Sequence, residues 1–341
     1  MSEQYLIYGA ELSPYSVKIR AYFRYKEIPH KWIIRDQKSN TEYKKFAKLP
    51  IVPLVVTPEK KGLQDSTPII KLLEHEYQNN SVSPPETHTA FVARILEEYA
   101  DEWLNKAMFH YRWRYEDDQM SASERFVELM IPVWANKIPL LNRVLKRKFA
   151  ATVRKRMIAR LWVVGSNKST EIQIEQSLNI FLHLSEQHLQ DRPYFFGFRP
   201  SIADFGIWGQ VYNMWTDPTV GQIIESSHPE TLKWIKRMLH PKLEGEFEPW
   251  ESLEATLMPI LKQELADVFM PWLEANNKAL AKGEKELSVK IKGKDFTHSV
   301  GSPQKYHAKS FAMLLEEYND IPDKTKLDAV LQEAGLINYF K

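Results

Sequence analysis

The sequence contains no cysteine among its 341 residues. Disulfide bonds and thiolate metal sites are therefore excluded, and any sulfur chemistry must be supplied by a ligand. Neither sign of charge dominates, because 46 basic side chains stand against 44 acidic ones. This balance gives no reason to expect nucleic acid or an anionic membrane as a partner.

Long apolar runs are also absent. No stretch approaches the roughly 18 consecutive apolar residues that a membrane-spanning helix needs. The start of the chain, MSEQYLIY, lacks the basic segment and apolar run of a secretion signal, so a cytoplasmic location is expected. The length predicts two or three domains with a large buried core.

Residues 1–80 alternate between strand and helix patterns. Four short runs are typical of strands: Tyr5–Tyr8, His30–Ile34, Ile51–Thr57 and a run that ends near Gln64. Helices are predicted to begin at Ser13-Pro14 and at Thr67-Pro68, because proline favours the first position of a helix. The order predicts a small α/β domain.

A polar linker with paired prolines, residues 79–88, separates this domain from residues 89–243, where the pattern is helical. Phe91, Ile95 and Tyr99 recur every four residues in a helix that is predicted to continue to Tyr115.

The pattern changes again in residues 244–341. Apolar and polar residues alternate on both sides of Gly293-Lys294-Asp295, which predicts a β-hairpin, and two helices are predicted after it. Trp250, Phe269 and Trp272 are too large for a solvated tail. We therefore expect this C-terminal region to fold onto the rest of the chain.

The segment Ser13-Pro14-Tyr15-Ser16 carries the most chemical information. It places a hydroxyl at the start of a helix that follows a strand, where main-chain N–H groups and the helix dipole favour an anion. The alternative is an ordinary serine N-cap with proline behind it.

Two further positions also have a functional and a structural interpretation. A cis bond at Val52-Pro53 would expose the backbone of Val52 to an extended peptide, whereas an edge-strand proline needs no ligand. At Asp65-Ser66, a helix start offers N–H groups to the carboxylate of an amino acid and a carboxylate to its ammonium group. The alternative there is simple N-capping.

In this order and spacing, the three segments resemble the cytosolic glutathione S-transferases, whose N-terminal half has a thioredoxin-like fold. Ser13-Pro14-Tyr15-Ser16 is similar to the helix start of the serine-dependent classes, of the tau and theta type, and to a glutaredoxin motif without its cysteines. Residues 201–204, Ser-Ile-Ala-Asp, are similar to a capping box of the all-helical domain of these enzymes. The resemblance extends over about residues 4–240 and leaves the C-terminal extension unexplained.

The resemblance implies a glutathione site. Ser13 would be the catalytic residue that stabilises the thiolate, with Tyr8 as the alternative donor. The residues that would bind glutathione are Ser13, Lys38, Val52, Pro53, Asp65 and Ser66. One departure is Ile51, where many members of the family have a lysine that contacts the ligand.

The implied function is transfer of glutathione to a small hydrophobic electrophile, typical of detoxification. Tyr15, Tyr111 and Trp113 are the candidates for the electrophile pocket. The alternatives are a glutathione-dependent lyase or peroxidase, and a non-catalytic interaction module with the same fold. Glutathione is the expected co-substrate and a homodimer the expected assembly, while no metal is expected because the histidines show no ligand spacing.

Residues 143–160 are rich in lysine and arginine and contain no acidic residue. A basic amphipathic helix of this kind binds membranes or nucleic acid in some proteins. The alternative is a solvated face that is neutralised by the acidic run Glu116-Asp117-Asp118.

Overall fold

A computed structural model describes residues 4–130 and 139–341. Its N-terminal part contains a four-stranded sheet made of β1 (Tyr5–Gly9), β2 (His30–Ile34), β3 (Leu54–Val56) and β4 (Gly62–Gln64). Three helices belong to the same part: α1 (Pro14–Tyr25), α2 (Asn40–Phe46) and α3 (Ser66–Glu76).

The strand order in the sheet is β2-β1-β3-β4. Strand β1 runs parallel to β2 and antiparallel to β3, and β4 continues the sheet antiparallel to β3. Helix α1 connects the two parallel strands β1 and β2. A crossover of this length is needed because a short turn can join only antiparallel neighbours. This arrangement is the thioredoxin-like fold, so the predicted fold of the N-terminal part is confirmed.

A set of helices follows. They are α4 (Thr87–Tyr99), α5 (Asn105–Arg114), α6 (Glu116–Met130), α7 (Pro139–Ile158), α8 (Glu171–His188), α9 (Ile202–Trp215), α10 (Pro218–Ser227) and α11 (Pro229–Arg237). The predicted continuous helix from Phe91 to Tyr115 is interrupted, because Ala100–Leu104 between α4 and α5 forms a π-helix. Such local widening of a helix is frequent at functional sites.

The C-terminal extension comprises four further α-helices and a hairpin. They are α12 (Trp250–Ile260) with a π-helical continuation (Leu261–Phe269), α13 (Met270–Lys282), strands β5 (Glu286–Ile291) and β6 (Lys294–Ser299), α14 (Ser302–Asn319) and α15 (Thr325–Glu333). The hairpin confirms the prediction, but its turn is Lys292-Gly293, which begins one residue earlier than expected and ends two residues earlier. Both turn residues have positive φ, as a tight two-residue hairpin turn requires.

The extension packs onto the rest of the chain, as expected. Trp250, Phe269 and Trp272 are all buried, and they belong to one hydrophobic core that also contains residues of α1, α4 and α8. A smaller cluster lies on the α2 side of the sheet and is formed by Tyr8, Tyr43, Leu54 and Val56. Helix α2 was missed from the sequence, since its only buried residue is Tyr43 and its apolar face is too narrow to signal a helix.

The acidic run at the start of α6 does not have the expected arrangement. Asp118 is buried and accepts a hydrogen bond from the main-chain N–H of Thr219 at 3.0 Å. The basic helix α7 instead pairs with α6 through Lys146 and Glu128. In the described part of the chain, no helix has the length and hydropathy needed to cross a membrane.

Candidate functional site

Four segments of the chain meet at one edge of the sheet. Strand register places Tyr8 of β1 opposite Leu54 of β3, and Leu54 opposite Gln64 of β4. In the parallel pair, Gly9 lies opposite Ile34 of β2. The residues that follow β1, β2 and β4 therefore adjoin the residues that precede β3. Sequence-predicted positions from all four segments are brought to this edge.

Ser13 lies at the end of the first of these segments and is the N-cap of α1. Its backbone is extended (φ −103°, ψ 111°), and its Oγ accepts a hydrogen bond from the N–H of Ser16 at 3.3 Å. Within residues 4–130 and 139–341 the Ser13 hydroxyl does not donate its own proton to any group. Its proton is therefore available to an anion at the positive end of the α1 dipole.

The first turn of α1 is held by the helical part of the chain. Buried Arg112 donates to the carbonyl oxygen of Leu12 at 3.0 Å and pairs with Asp217 at 2.6 Å. Gly209 of α9 faces the same turn, and a Cβ there would lie 2.7 Å from the carbonyl oxygen of Pro14. Only glycine permits this approach. Neither residue was identified from the sequence, because nothing local marks a contact made across such a distance in the chain.

The Val52–Pro53 peptide bond is cis, as predicted. Within the described residues, neither the N–H nor the C=O of Val52 has a hydrogen-bond partner. The preceding carbonyl, that of Ile51, accepts from the hydroxyl of Tyr43 at 2.5 Å and from the amide of Gln64 at 3.0 Å. The loop is thus fixed on one side while the backbone of Val52 stays accessible for strand-like pairing.

Asp65 precedes α3 with a backbone conformation (φ 82°, ψ 121°) that is unfavourable for any residue with a side chain. Its carboxylate does not cap the helix. One carboxylate oxygen instead accepts a hydrogen bond from the hydroxyl of Tyr306 at 2.7 Å. Ser66, the next residue, is buried at the helix start, and no partner of its main-chain N–H lies in the described ranges.

The other two candidates near the thiol differ in placement. Lys38 is exposed in the segment after β2. Tyr8 is buried against Tyr43, with ring centroids 5.9 Å apart, in the cluster beneath α2. Burial, followed by the negative charge of Glu42, raises the pKa of the Tyr8 hydroxyl. A buried phenol that is harder to ionise and already packed against another ring is poorly placed to meet a ligand at the sheet edge.

The electrophile-pocket candidates do not form one surface. Tyr15 is partly exposed and donates to the carbonyl oxygen of Asp101 at 2.9 Å. Tyr111 is buried and stacks on Tyr115, with ring centroids 5.5 Å apart. Trp113 is buried against Phe126 of α6. Tyr111 and Trp113 therefore have a packing role in this structure, and their contact with an electrophile stays a prediction.

A buried charge network joins the N-terminal part to α4 and the adjoining π-helix. Lys18 of α1 pairs with Glu97 and, at 2.6 Å, with Asp101. The hydroxyl of Thr67, at the start of α3, donates to Glu97 at 2.5 Å. Burial raises the pKa of Asp101 to about 7, against the opposing effect of Lys18. The network fixes α1 and α3, the two helices whose N-termini form the site, relative to α4.

The histidines and carboxylates do not form a metal site in the part of the chain that the structure describes. In the described ranges, no three histidine, aspartate or glutamate side chains are grouped so as to hold a metal ion. His188, for example, is buried, donates from Nε2 to the carbonyl oxygen of Phe195 at 2.8 Å, and has its Nδ1 at 2.7 Å from the hydroxyl of Thr256.

Comparison with known proteins concerns mainly the N-terminal part. Residues 7–81 match the family model of the glutathione S-transferase N-terminal domain. Among curated proteins no match was found.

Several solved structures are similar to parts of the chain. A glutathione S-transferase from Methylobacterium radiotolerans, in complex with glutathione sulfonate, is 17% identical over 69% of this chain and 90% of its own, with a TM-score of 0.41. A tau class enzyme from mango, Mangifera indica, is 16% identical over 70% and 89%, with a TM-score of 0.44. A beta-etherase from Sphingobium sp. is 15% identical over 74% and 98%, with a TM-score of 0.45. At such low identities and TM-scores, these structures say nothing about the reaction of this chain.

The match to residues 7–81 includes every N-terminal position on which the resemblance was based, from Tyr8 to Ser66. The same residues form the thioredoxin-like sheet and the edge at which Ser13, Val52 and Asp65 meet. The resemblance to the cytosolic glutathione S-transferases is therefore confirmed, and it is carried by residues 7–81, which match the N-terminal domain model of that family.

Proposed function

We propose that the chain binds glutathione at this edge of the sheet and activates its thiol through Ser13. The observation that carries the proposal is the Ser13 hydroxyl, which lies at the N-terminus of α1 and donates to no group among the described residues. With no cysteine in the chain, the thiol that it meets belongs to the ligand.

The energy required is within reach of one such contact. A thiol with a pKa of about 8.5 is only a few per cent ionised at neutral pH. Lowering that pKa by about two units requires roughly 2.7 kcal/mol. A hydrogen bond to a charged acceptor contributes about 1.5–3 kcal/mol, and the helix N-terminus adds to it. Ser13 therefore suffices without becoming charged itself.

The remaining contacts would hold the peptide. The unpaired backbone of Val52, beside Pro53, would pair with the cysteinyl residue. The γ-glutamyl end would place its carboxylate at the N-terminus of α3, near Ser66, and its ammonium group at Asp65. Lys38, which is exposed after β2, would meet the glycyl carboxylate.

The reaction proposed for this site is attack of the thiolate on a small hydrophobic electrophile. Tyr15 is the aromatic side chain that best fits such a pocket, because it lies two residues from Ser13 and is partly exposed. A glutathione-dependent lyase or peroxidase would use the same thiolate. Homodimerisation, a cytoplasmic location and a role in detoxification follow from the resemblance alone.

Two measurements test the proposal. Calorimetry with glutathione shows whether the chain binds the peptide, and ultraviolet difference absorbance shows whether its thiol is ionised when bound. Turnover with an aromatic halide, an aryl ether and an organic peroxide then separates the transferase, lyase and peroxidase reactions. Binding without turnover of any of them would favour the non-catalytic interaction module, and absence of binding would refute the glutathione site.

A further inference from the structure

The C-terminal extension reaches the edge of the sheet through α14. This helix is held against α4 and the adjoining π-helix by charged contacts and apolar packing. His307 pairs with Glu102, and Glu317 lies 3.4 Å from Arg94. Phe311 and Leu314 of the same helix are buried in the main core. The position of α14 beside the site is therefore determined along most of its length.

Tyr306, in the first turns of α14, contacts the residue assigned to the ligand's ammonium group. Its hydroxyl donates to Oδ2 of Asp65 at 2.7 Å, across 241 residues of sequence. The tyrosine is 46% exposed, so it lies at the surface of the protein beside Asp65. The other carboxylate oxygen of Asp65 has no partner within the described ranges, which leaves an acceptor at the same position.

Other acidic groups lie near this pair. Burial and the adjacent charge of Asp65 raise the pKa of Tyr306 far above its usual value, and the charges of Asp101 and Glu98 act in the same direction. Lys18 pairs with Asp101 and Arg94 pairs with Glu98, so these two carboxyl groups already have cationic partners. Asp65 has no cationic partner among the described residues, and its free oxygen therefore favours an added cationic group.

We propose that Tyr306 is a specificity-determining residue of the glutathione site, which the extension thereby completes. Its hydroxyl orients the carboxylate of Asp65, so that the second oxygen meets the ammonium group of the γ-glutamyl residue. Tyr306 acts through Asp65 and is a positioning residue. The inference rests on the function proposed above.

The test compares two ligands that differ only in the ammonium group. Glutathione carries it, whereas glutaryl-cysteinyl-glycine has the same skeleton without it. In Tyr306→Phe, we expect glutathione to bind about 5- to 20-fold more weakly, because the Asp65 carboxylate is no longer held in the orientation that meets the ammonium group, and we expect the glutaryl peptide to bind unchanged. Tyr318→Phe is the matched control. Tyr318 lies in α14 as Tyr306 does, but its hydroxyl donates to Asp328 of α15 at 2.7 Å, away from the site.

A double-mutant cycle shows whether Tyr306 acts through Asp65. If it does, Tyr306→Phe has little further effect on glutathione affinity in the Asp65→Ala background, so the two losses are not additive. Equal losses for both ligands in Tyr306→Phe would mean a general structural role and overturn the proposal. Tighter binding would overturn it too, since the contact would then compete with the ligand.

The outcomes also separate this inference from the proposed function. A wild-type protein that binds neither peptide refutes both. If the wild type and Tyr306→Phe bind glutathione with equal affinity and unfold at the same temperature, only the role of Tyr306 is refuted. The pKa of the bound thiol should be the same in wild type and Tyr306→Phe, because the hydroxyl of Ser13 is unaffected.

Discussion

The ammonium group of Lys106 lies 3.7 Å from the centre of the Trp272 ring. This contact joins α5 to α13 of the extension, and it leaves the lysine 1% exposed. No carboxylate in the described ranges pairs with Lys106, so the aromatic face is what stabilises its charge. Burial lowers the pKa of this amine from 10.5 to about 7.

Replacement of this lysine by methionine should stabilise the protein at neutral pH. Between about pH 7 and 10.5 the unfolded chain keeps a proton that the folded chain has lost. The cost of burying this amine is therefore full below about pH 7, and it decreases as the pH rises toward 10.5. Lys106→Met should raise the free energy of unfolding by about 1–3 kcal/mol at neutral pH, and by less as the pH approaches 10.5. Urea unfolding at several pH values measures this.

The control for that substitution is Lys278→Met. Lys278 is exposed on α13 and pairs only with Glu274, one turn earlier. Its replacement should change the free energy of unfolding by no more than about 0.5 kcal/mol. A Lys106→Met protein with the same stability profile as wild type would show that the buried amine carries no cost.

Glu264 is expected to have the opposite pH dependence. It is buried, accepts from the hydroxyls of Tyr99 at 3.1 Å and of Ser177, and lies 3.4 Å from Lys292. Burial raises its pKa from 4.5 to about 7, so between these values the folded protein holds a proton that the unfolded chain has released. Its contribution to stability is therefore present below about pH 4.5 and declines as the pH rises through 7.

Glu264→Gln removes this titration. Relative to wild type, the variant should gain about 1–3 kcal/mol of unfolding free energy between acidic and slightly alkaline pH. Thermal or urea denaturation across that range provides the comparison, with exposed Glu274→Gln as the control. Parallel profiles for Glu264→Gln and wild type would contradict the raised pKa.

Ser13→Ala tests the activating hydroxyl. The loss of one hydrogen bond to sulfur should raise the pKa of the bound glutathione thiol by roughly one to two units. Affinity should change little, because Val52, Asp65 and Ser66 hold the rest of the peptide in the proposed site. The measurement is ultraviolet difference titration of the complex.

Ser16→Ala is the matched control, since this serine lies one turn further along α1 and its Oγ has no hydrogen-bond partner among the described residues. Its titration curve should coincide with that of wild type. If the Ser13→Ala curve does so as well, the thiol is activated elsewhere, and Tyr8→Phe is the next variant to measure.

Asp65→Ala should weaken glutathione binding about 10- to 100-fold, because the ligand's ammonium group would lose its charged acceptor. Calorimetry gives the affinity directly. Glu59→Ala removes an exposed carboxylate from the turn between β3 and β4 and should leave it unchanged. Equal affinities for Asp65→Ala and wild type would mean that the γ-glutamyl end binds elsewhere.

Local signals in the sequence determined where several helices begin and where the hairpin lies. Ser13-Pro14 predicted the start of α1, and the observed helix begins at Pro14. The capping box of Ser201 and Asp204 is present at the start of α9. The hairpin of the extension follows the predicted alternation of apolar and polar residues. Caps, alternation and turn residues act within a few positions of the chain, so they can be identified without knowledge of the fold.

Elements with weak local signals were missed or misplaced. Helix α2 was not predicted, because it buries Tyr43 alone. The π-helix Ala100–Leu104 has no sequence signature, since it satisfies the packing of α4 and α5 against α9 rather than a local preference. Tyr111 and Trp113 looked like pocket residues because aromatic side chains suit both pockets and cores, and only their burial separates the two.

The residues of the candidate site were named from the sequence, but what surrounds them was decided by tertiary structure. Tyr306 meets Asp65, Arg112 meets Leu12 and Lys106 meets Trp272 only because distant helices pack together. A sequence states which side chains exist and which local conformations they favour. The pairing of groups hundreds of residues apart depends on how apolar faces are buried against one another, and that is a property of the whole folded chain.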